Sequence, residues 1–287
     1  MRIAITSDLH FRPIWLSRLR SFACRLREAK PDLLIVGGDV GEPLNMFSGG
    51  LALLQDVSDV RALVVGNHDV WHREFPHNSR DLWEDRLPAA AEQYGYLWLE
   101  EHNLRLGALA ICGTIAWYDY STKPHDIILS DDDYERIKPM LSNDGNYIDW
   151  DWSDRQFAAK VGRAFEERLD RLEHDEEITD IVVISHVPLF RECLRPATMP
   201  EERILNAYYG NLPLGEVVQA SKKVRAIFSG HVHHEKRLSI PRSGADPLAV
   251  YTIPADYGMP AALLLDTETW EVTRIPPVGA SDAPDCG

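Results

Sequence analysis

The chain has 287 residues, 45% of them apolar and eight of them Trp, and carries a formal charge of −15. That length and apolar content allow a substantial core and exclude a disordered chain. The acidic balance removes the overall basic footprint that a general nucleic-acid binder uses, and no apolar run approaches the roughly 20 residues of a membrane span. The four cysteines, Cys24, Cys112, Cys193 and Cys286, form no Cys-x-x-Cys pair, which argues against a structural zinc site and against a disulfide framework; Cys24 and Cys112 read as core residues. Met1-Arg2-Ile3-Ala4-Ile5-Thr6 runs into Asp8 before a signal-peptide core can build, so a soluble cytoplasmic protein is expected.

Residues 2–6 alternate as a first strand. Residues 14–29 place Leu16, Leu19, Phe22, Ala23 and Leu26 on one helical face, and Pro31-Asp32 stops that helix. Leu33-Leu34-Ile35-Val36 is the short apolar run of a strand buried on both faces, ended by Gly37-Gly38-Asp39. A second helix is expected over 43–56, weakened by Gly49-Gly50. A third strand over 61–65 runs into Gly66-Asn67-His68-Asp69. This β-α-β-α-β order predicts a partly parallel sheet covered by helices. Polar residues stand directly after each strand, where ligands of open α/β sheets collect.

Residues 81–94 read as a helix and 104–111 as one or two strands about Gly107. From 116 to 152 the texture changes to closely set aromatics (Trp117, Tyr118, Tyr120, Tyr134, Tyr147, Trp150, Trp152) with Asp131, Asp132, Asp133 and Glu135 between them. This stretch reads as an insertion, either a wall of a substrate pocket or a surface subdomain with a small core of its own. Ser153-Asp154-Arg155-Gln156 is a capping box. It opens a helix to about residue 173 with the stripe Phe157, Val161, Phe165, Leu169 and Leu172. A strand over 180–184 ends in Ser185-His186, and a loop-rich insertion covers about 188–212. A helix over 214–222 leads to a strand over 224–228 and then Ser229-Gly230-His231-Val232-His233. Strands at 236–240, 248–253, 261–266 and 270–275 close the chain, with a hairpin turn at 267–269. The expectation is one domain over 1–276 and a flexible tail over 277–287.

The polar residues that follow strands are Asp8, His10, Asp39, Asn67, His68, Asp69, His186, His231 and His233, and they include five of the eleven histidines. Imidazole and hard oxygen donors without thiolate suit Mn, Fe or Zn. The set exceeds what one ion with an open position accommodates. Two ions sharing a carboxylate use it up, and Asp39 can bridge because its two oxygens carry separate lone pairs. Asp8/His10 and His231/His233 are i, i+2 pairs that can point to one side on leaving a strand, which turns Val232 toward the core. His72, His77, His102, His125 and His174 read as solvated or structural; Arg191 and Arg195 read as phosphate contacts or solvated loop residues.

In order, Asp8-Leu9-His10, Gly38-Asp39-Val40-Gly41-Glu42, Gly66-Asn67-His68-Asp69, Ser185-His186 and Gly230-His231-Val232-His233 resemble the calcineurin-like metallophosphoesterase superfamily across about residues 1–240. The resemblance implies an α/β fold, a four-layer αββα sandwich of two mixed sheets flanked by helices, around a dinuclear metal centre. Carried over by position, one metal takes Asp8, His10, Asp39 and His233, and the other takes Asp39, Asn67, His186 and His231. A hydroxide held between the metals would attack phosphorus in line. His68 matches the family histidine that contacts the phosphoryl group and protonates the leaving oxygen, and Asp69 would orient its imidazole and keep it charged. Glu42 falls where the family often has an acid. The implied cofactors are two divalent or trivalent ions, Mn first, with Fe, Zn or Ni compatible. The implied reaction is hydrolysis of a small-molecule phosphodiester or phosphomonoester. Diesters are slightly favoured because the chain resembles compact bacterial diesterases in length and the aromatic insertion could stack on a base or aryl group. The alternatives are a metal-dependent nuclease of the same superfamily, against which the −15 charge counts, and a non-catalytic binding module, a kind of member that usually loses ligands this chain retains.

Overall fold

The computed structural model describes residues 1–73 and 78–275; the expected tail, Cys286 and His77 lie outside the described residues. Strand β1 (Arg2–Thr6) leads to α1 (Leu16–Glu28), β2 (Leu33–Gly37), α2 (Leu44–Leu54) and β3 (Val60–Val64). A helical run then passes from α3 (Ser79–Asp81) through a π-helical turn (Leu82–Arg86) into α4 (Leu87–Gln93). The single helix expected over 81–94 is thus broken by a π turn. Next come β4 (Leu97–Trp98), which sequence reasoning missed, then β5 (Leu104–Leu106) and β6 (Leu109–Thr114). The 116–152 stretch holds α5 (Asp131–Leu141) and α6 (Asp144–Tyr147), and α7 (Asp154–His174) and β7 (Asp180–Ser185) follow. The remainder is α8 (Pro200–Leu205), α9 (Leu212–Ala220), β8 (Val224–Ser229), β9 (Lys236–Ile240), β10 (Leu248–Thr252), β11 (Ala262–Asp266) and β12 (Val272–Ile275).

Two mixed six-stranded sheets form, in the orders β12-β11-β1-β2-β3-β4 and β5-β6-β7-β8-β10-β9. Strand alternation builds the layers. Ile3, Ile5, Leu33, Ile35, Ala62 and Val64 of the first sheet pack against Ile111, Val182, Ile184, Ala226 and Phe228 of the second. Ala4, Leu34, Val36 and Leu63, one residue out of phase, face the helices. Each fully buried aliphatic or Phe side chain here contributes about 1.5–3 kcal/mol relative to exposure. On the first sheet, α1 buries Leu19, Phe22, Ala23 and Leu26. Against the second, α7 buries its whole expected stripe, and its box closes as read, with Ser153 and Gln156 each accepting from the other's backbone N–H.

The insertion does not form a small core of its own. Trp117, Tyr118, Tyr120 and Tyr134 are at most 1% exposed and belong to the same buried cluster as Phe157 and Phe165 of α7. Cys24, expected in the core, is half-buried and disulfide-bonded, which spacing along the chain could not show. Cys112 and Cys193 are free and buried. Among the described residues, no helix is long and apolar enough to cross a membrane. The parallel strands β1, β2 and β3 of one sheet and β7 and β8 of the other all end at one edge of the sandwich, and the site sits there.

Candidate metal centre

The loops that leave these strands turn sharply. Asp8, His10, Asp39, His231 and His233 all have left-handed backbones, with φ of 54°, 42°, 52°, 69° and 48°. Such a conformation costs a non-glycine residue about 1 kcal/mol or more, and strain of this kind gathers where a site requires it. The pairs Asp8/His10 and His231/His233 therefore share a side because two left-handed residues aim them. This corrects the expected reason, a continued strand zigzag. Val232 between them is buried, as expected. Gly66 is required by close approach: a Cβ there would stand 2.1 Å from Asp39 Oδ1.

Two donor clusters result. In the first, His10 Nε2 lies 3.2 Å from His233 Nε2 and 3.7 Å from Asp39 Oδ2, and His233 Nε2 lies 3.2 Å from Asp8 Oδ1. In the second, His186 Nε2 lies 3.4 Å from Asp39 Oδ1, and Asn67 Oδ1 lies 3.0 Å from His186 Nε2 and 2.9 Å from His231 Nδ1. Asp39 thus presents one oxygen to each cluster. Donor atoms of Asp8, His10, Asp39 and His233, and separately of Asp39, His186 and His231, all come within 4.8 Å of one another.

The outer partners fix which ring atoms face inward. His186 Nδ1 donates to Gly37 O at 2.9 Å, and His231 Nε2 donates to Tyr208 O at 3.0 Å. A carbonyl only accepts, so His186 Nε2 and His231 Nδ1 are bare lone pairs. Burial pushes His186 down to about 3 and also lowers His231 and His10, which holds these rings neutral. Asn67 Oδ1 then meets two imidazole lone pairs with no proton between them. Three converging acceptors are an arrangement that a divalent cation satisfies, and the residues present fit one. Burial, with Asp8 and Asp69 nearby, raises Asp39 well above the carboxylate range; a bound cation would reverse that cost. Burial works against the charged form of His233, yet Asp8 and Asp256 outweigh it and raise its pKa.

His68 borders both clusters. Its Nε2 is 4.0 Å from Asp39 Oδ2 and its ring stacks on Trp71 at 3.6 Å. Asp69 does not orient it. The Asp69 carboxylate turns inward and accepts from Gly41 N–H at 3.0 Å and Gly66 N–H at 2.8 Å, and burial pushes its pKa up to about 7. The acid that faces the ring is Glu42, with Oε2 3.7 Å from His68 Nδ1. Burial alone would raise Glu42, but His68, Arg12 and Arg73 hold it below its ordinary value. Arg12 and Arg73 reach Glu42 Oε1 at 2.5 and 3.3 Å.

The clusters open into a cleft of about 440 Å³ lined by Trp71, Asp144, Arg195, Tyr209 and Tyr257 among others. Residues 141–144 bring the insertion to its wall. The larger cavity, about 610 Å³, lies elsewhere between Asp131 and Glu166 and touches none of the donors. Arg191 binds the carbonyls of Thr122 and Ser121 at 3.0 and 2.9 Å, so it secures a loop; Arg195 donates to the carbonyls of Val232 and His233 and lines the cleft. His72 pairs with Asp149 and His174 with Asp170, both away from the donors. Sequence reasoning missed Asp144 and Asp256, which support Asn67 and His233 from distant segments without a motif of their own.

The sequence profile for the calcineurin-like phosphoesterases matches residues 1–235. No curated protein matches the chain. Among solved structures, the phosphopantetheinyl hydrolase of Mycobacterium tuberculosis is similar with 19% identity, 89% of each chain covered and a TM-score of 0.66. A dimetal phosphatase from Danio rerio is similar with 13% identity, 96% of each chain covered and a TM-score of 0.56. A Thermus thermophilus protein shares 12% identity over 96% of this chain and 98% of that one, with a TM-score of 0.56. At these identities the likeness bears on the fold. The profile and the two donor clusters support metal-dependent hydrolysis of phosphate esters at a dinuclear divalent centre. The chain belongs to the calcineurin-like phosphoesterase family.

Proposed function

We propose that this chain hydrolyses a small-molecule phosphate ester, diesters in preference to monoesters, with two Mn²⁺ ions in the paired clusters. One ion is held by Asp8, His10, Asp39 and His233 and the other by Asp39, Asn67, His186 and His231. The observation that carries the reading is Asp39, whose Oδ2 and Oδ1 address different histidines at 3.7 and 3.4 Å. Bound ions of this kind activate water and neutralise charge that builds on phosphoryl oxygens. His68, at the mouth of both clusters, contacts the phosphoryl group and delivers a proton to the leaving oxygen. Glu42 faces its other nitrogen at 3.7 Å, within ion-pair reach.

The diester preference rests on the cleft. At about 440 Å³ it has room for more than a phosphoryl group. Its aromatic surface comes from Tyr209 and Tyr257, because Trp71 and four of the aromatics expected to stack on substrate (Trp117, Tyr118, Tyr120 and Tyr134) are buried. The same reading takes residues 1–276 as one domain, supported by the packing of the insertion against α7. It places the protein in the cytoplasm, against which the bonded Cys24 counts; a thiol titration of protein prepared without reductant decides that point.

The reading is tested by stripping metal, reconstituting with Mn²⁺ and comparing bis-p-nitrophenyl phosphate with p-nitrophenyl phosphate. Turnover is expected to require Mn²⁺, to favour the diester, and to vanish in Asp39→Asn. Undiminished turnover in that variant overturns the shared-carboxylate assignment, and preference for the monoester overturns the diester assignment.

A further inference from the structure

Asn67 is held from both ends. Its Oδ1 meets His186 and His231, and its Nδ2 donates to Asp144 Oδ1 at 2.8 Å. Asp144 opens α6, inside the insertion and 77 residues away in sequence. It is 1% exposed and fully engaged as an acceptor. Trp71 Nε1 donates to the same oxygen at 2.6 Å, and the Tyr118 hydroxyl donates to Oδ2 at 2.9 Å.

The positions of the protons show what this anchor prevents. As neutral rings, the form that binds a cation, His186 and His231 give their one N–H to the carbonyls of Gly37 and Tyr208, so the nitrogens that face Asn67 are acceptors. A carboxamide turned end for end would place its N–H groups toward those two acceptors. It would satisfy the imidazoles without any cation, and that closed state would compete with metal. The turned amide, however, would set its oxygen against Asp144 Oδ1, two acceptors in a buried site with no proton between them. Leaving such groups unsatisfied is costly.

We propose that Asp144 is a positioning residue for the metal centre, locking the Asn67 carboxamide with its oxygen toward His186 and His231 so that the second cluster stays open to a divalent cation. This rests on the dinuclear reading above. The insertion then does more than wall the cleft: it reaches across to set the orientation of a donor on the opposite sheet.

The test titrates metal-free wild type, Asp144→Ala, Asp144→Asn and Tyr118→Phe with Mn²⁺ by calorimetry, with the electron paramagnetic resonance signal of coupled Mn pairs as a second readout. Asp144→Ala is expected to weaken one of the two Mn²⁺ sites by about 10–100-fold, the range seen for outer partners of metal ligands. Asp144→Asn keeps an oxygen for the Asn67 amide and is expected to weaken it by less than about tenfold. Tyr118→Phe removes a donor to the same carboxylate without touching Asn67, and is expected to leave that affinity unchanged. Wild-type affinity in folded Asp144→Ala, or an equal loss in Tyr118→Phe, overturns the inference. Should Asp144→Ala not fold, the Asn67 side-chain amide of the metal-free wild type decides: one slowly exchanging proton is expected, and rapid exchange of both overturns it. A wild type that binds at most one Mn²⁺ removes the dinuclear reading itself, a result distinct from wild-type binding by the variants.

Discussion

Glu42 and Asp69 are buried carboxylates close to the same histidine, and their partners give them different tasks. Glu42 faces His68 Nδ1 and is flanked by two arginines, whereas Asp69 ties the Gly41 and Gly66 amides together. Under the proposed mechanism, Glu42→Gln is expected to lower kcat on the order of tenfold to a hundredfold. Asp69→Asn is expected to leave kcat near that of the wild type and to cost about 1–3 kcal/mol of stability, since one backbone N–H loses its acceptor. Steady-state kinetics beside thermal denaturation separate the two; the opposite pattern would restore Asp69 as the partner of His68. The donors themselves were legible, because each follows a strand directly. The partner of His68 was not: adjacency of His68 and Asp69 suggested a pair, while the true contact comes from the loop after β2.

At the scale of elements, helices and strands with strong periodicity were readable because propensity and burial agree in them. The capping box at Ser153 and the stripe of α7 are examples. What could not be read was geometry that breaks local preference, namely the π turn at Leu82–Arg86 and the left-handed turns that aim the donors. The insertion was visible as texture, but its packing depends on α7. Phe157 meets Trp83, Trp117, Trp150 and Trp152 with ring centroids 4.2–5.5 Å away. Phe157→Ala is therefore expected to cost about 3–5 kcal/mol. Tryptophan emission in the folded variant should move to the red as those rings gain water; unchanged emission and stability would mean that the insertion packs independently of α7.

Across the whole molecule, the centre depends on two sheets meeting at one edge. Glu100, just past β4 of the first sheet, helps to join them: it accepts from the Ile115 N–H, just past β6 of the second, at 3.0 Å. Burial pushes its pKa up to about 7. A carboxyl that holds its proton longer when folded loses stability as pH rises from the unfolded pKa to the folded one, and the loss levels off above it. With metal chelated, thermal stability is expected to fall between about pH 4.5 and 7 by about 3 kcal/mol from this group. Glu100→Gln should take that share out of the slope and leave the share of Asp69, whose pKa is also about 7; a slope unchanged in the variant overturns the assignment to Glu100. The dinuclear reading turns on Asp39, whose two oxygens address different histidines where the sheets meet. Crystals soaked in Mn²⁺ and measured at the manganese absorption edge test it. Two anomalous peaks roughly 3.5–4 Å apart, one on each oxygen of Asp39, are expected; a single peak, or two peaks that Asp39 does not touch, would contradict the account.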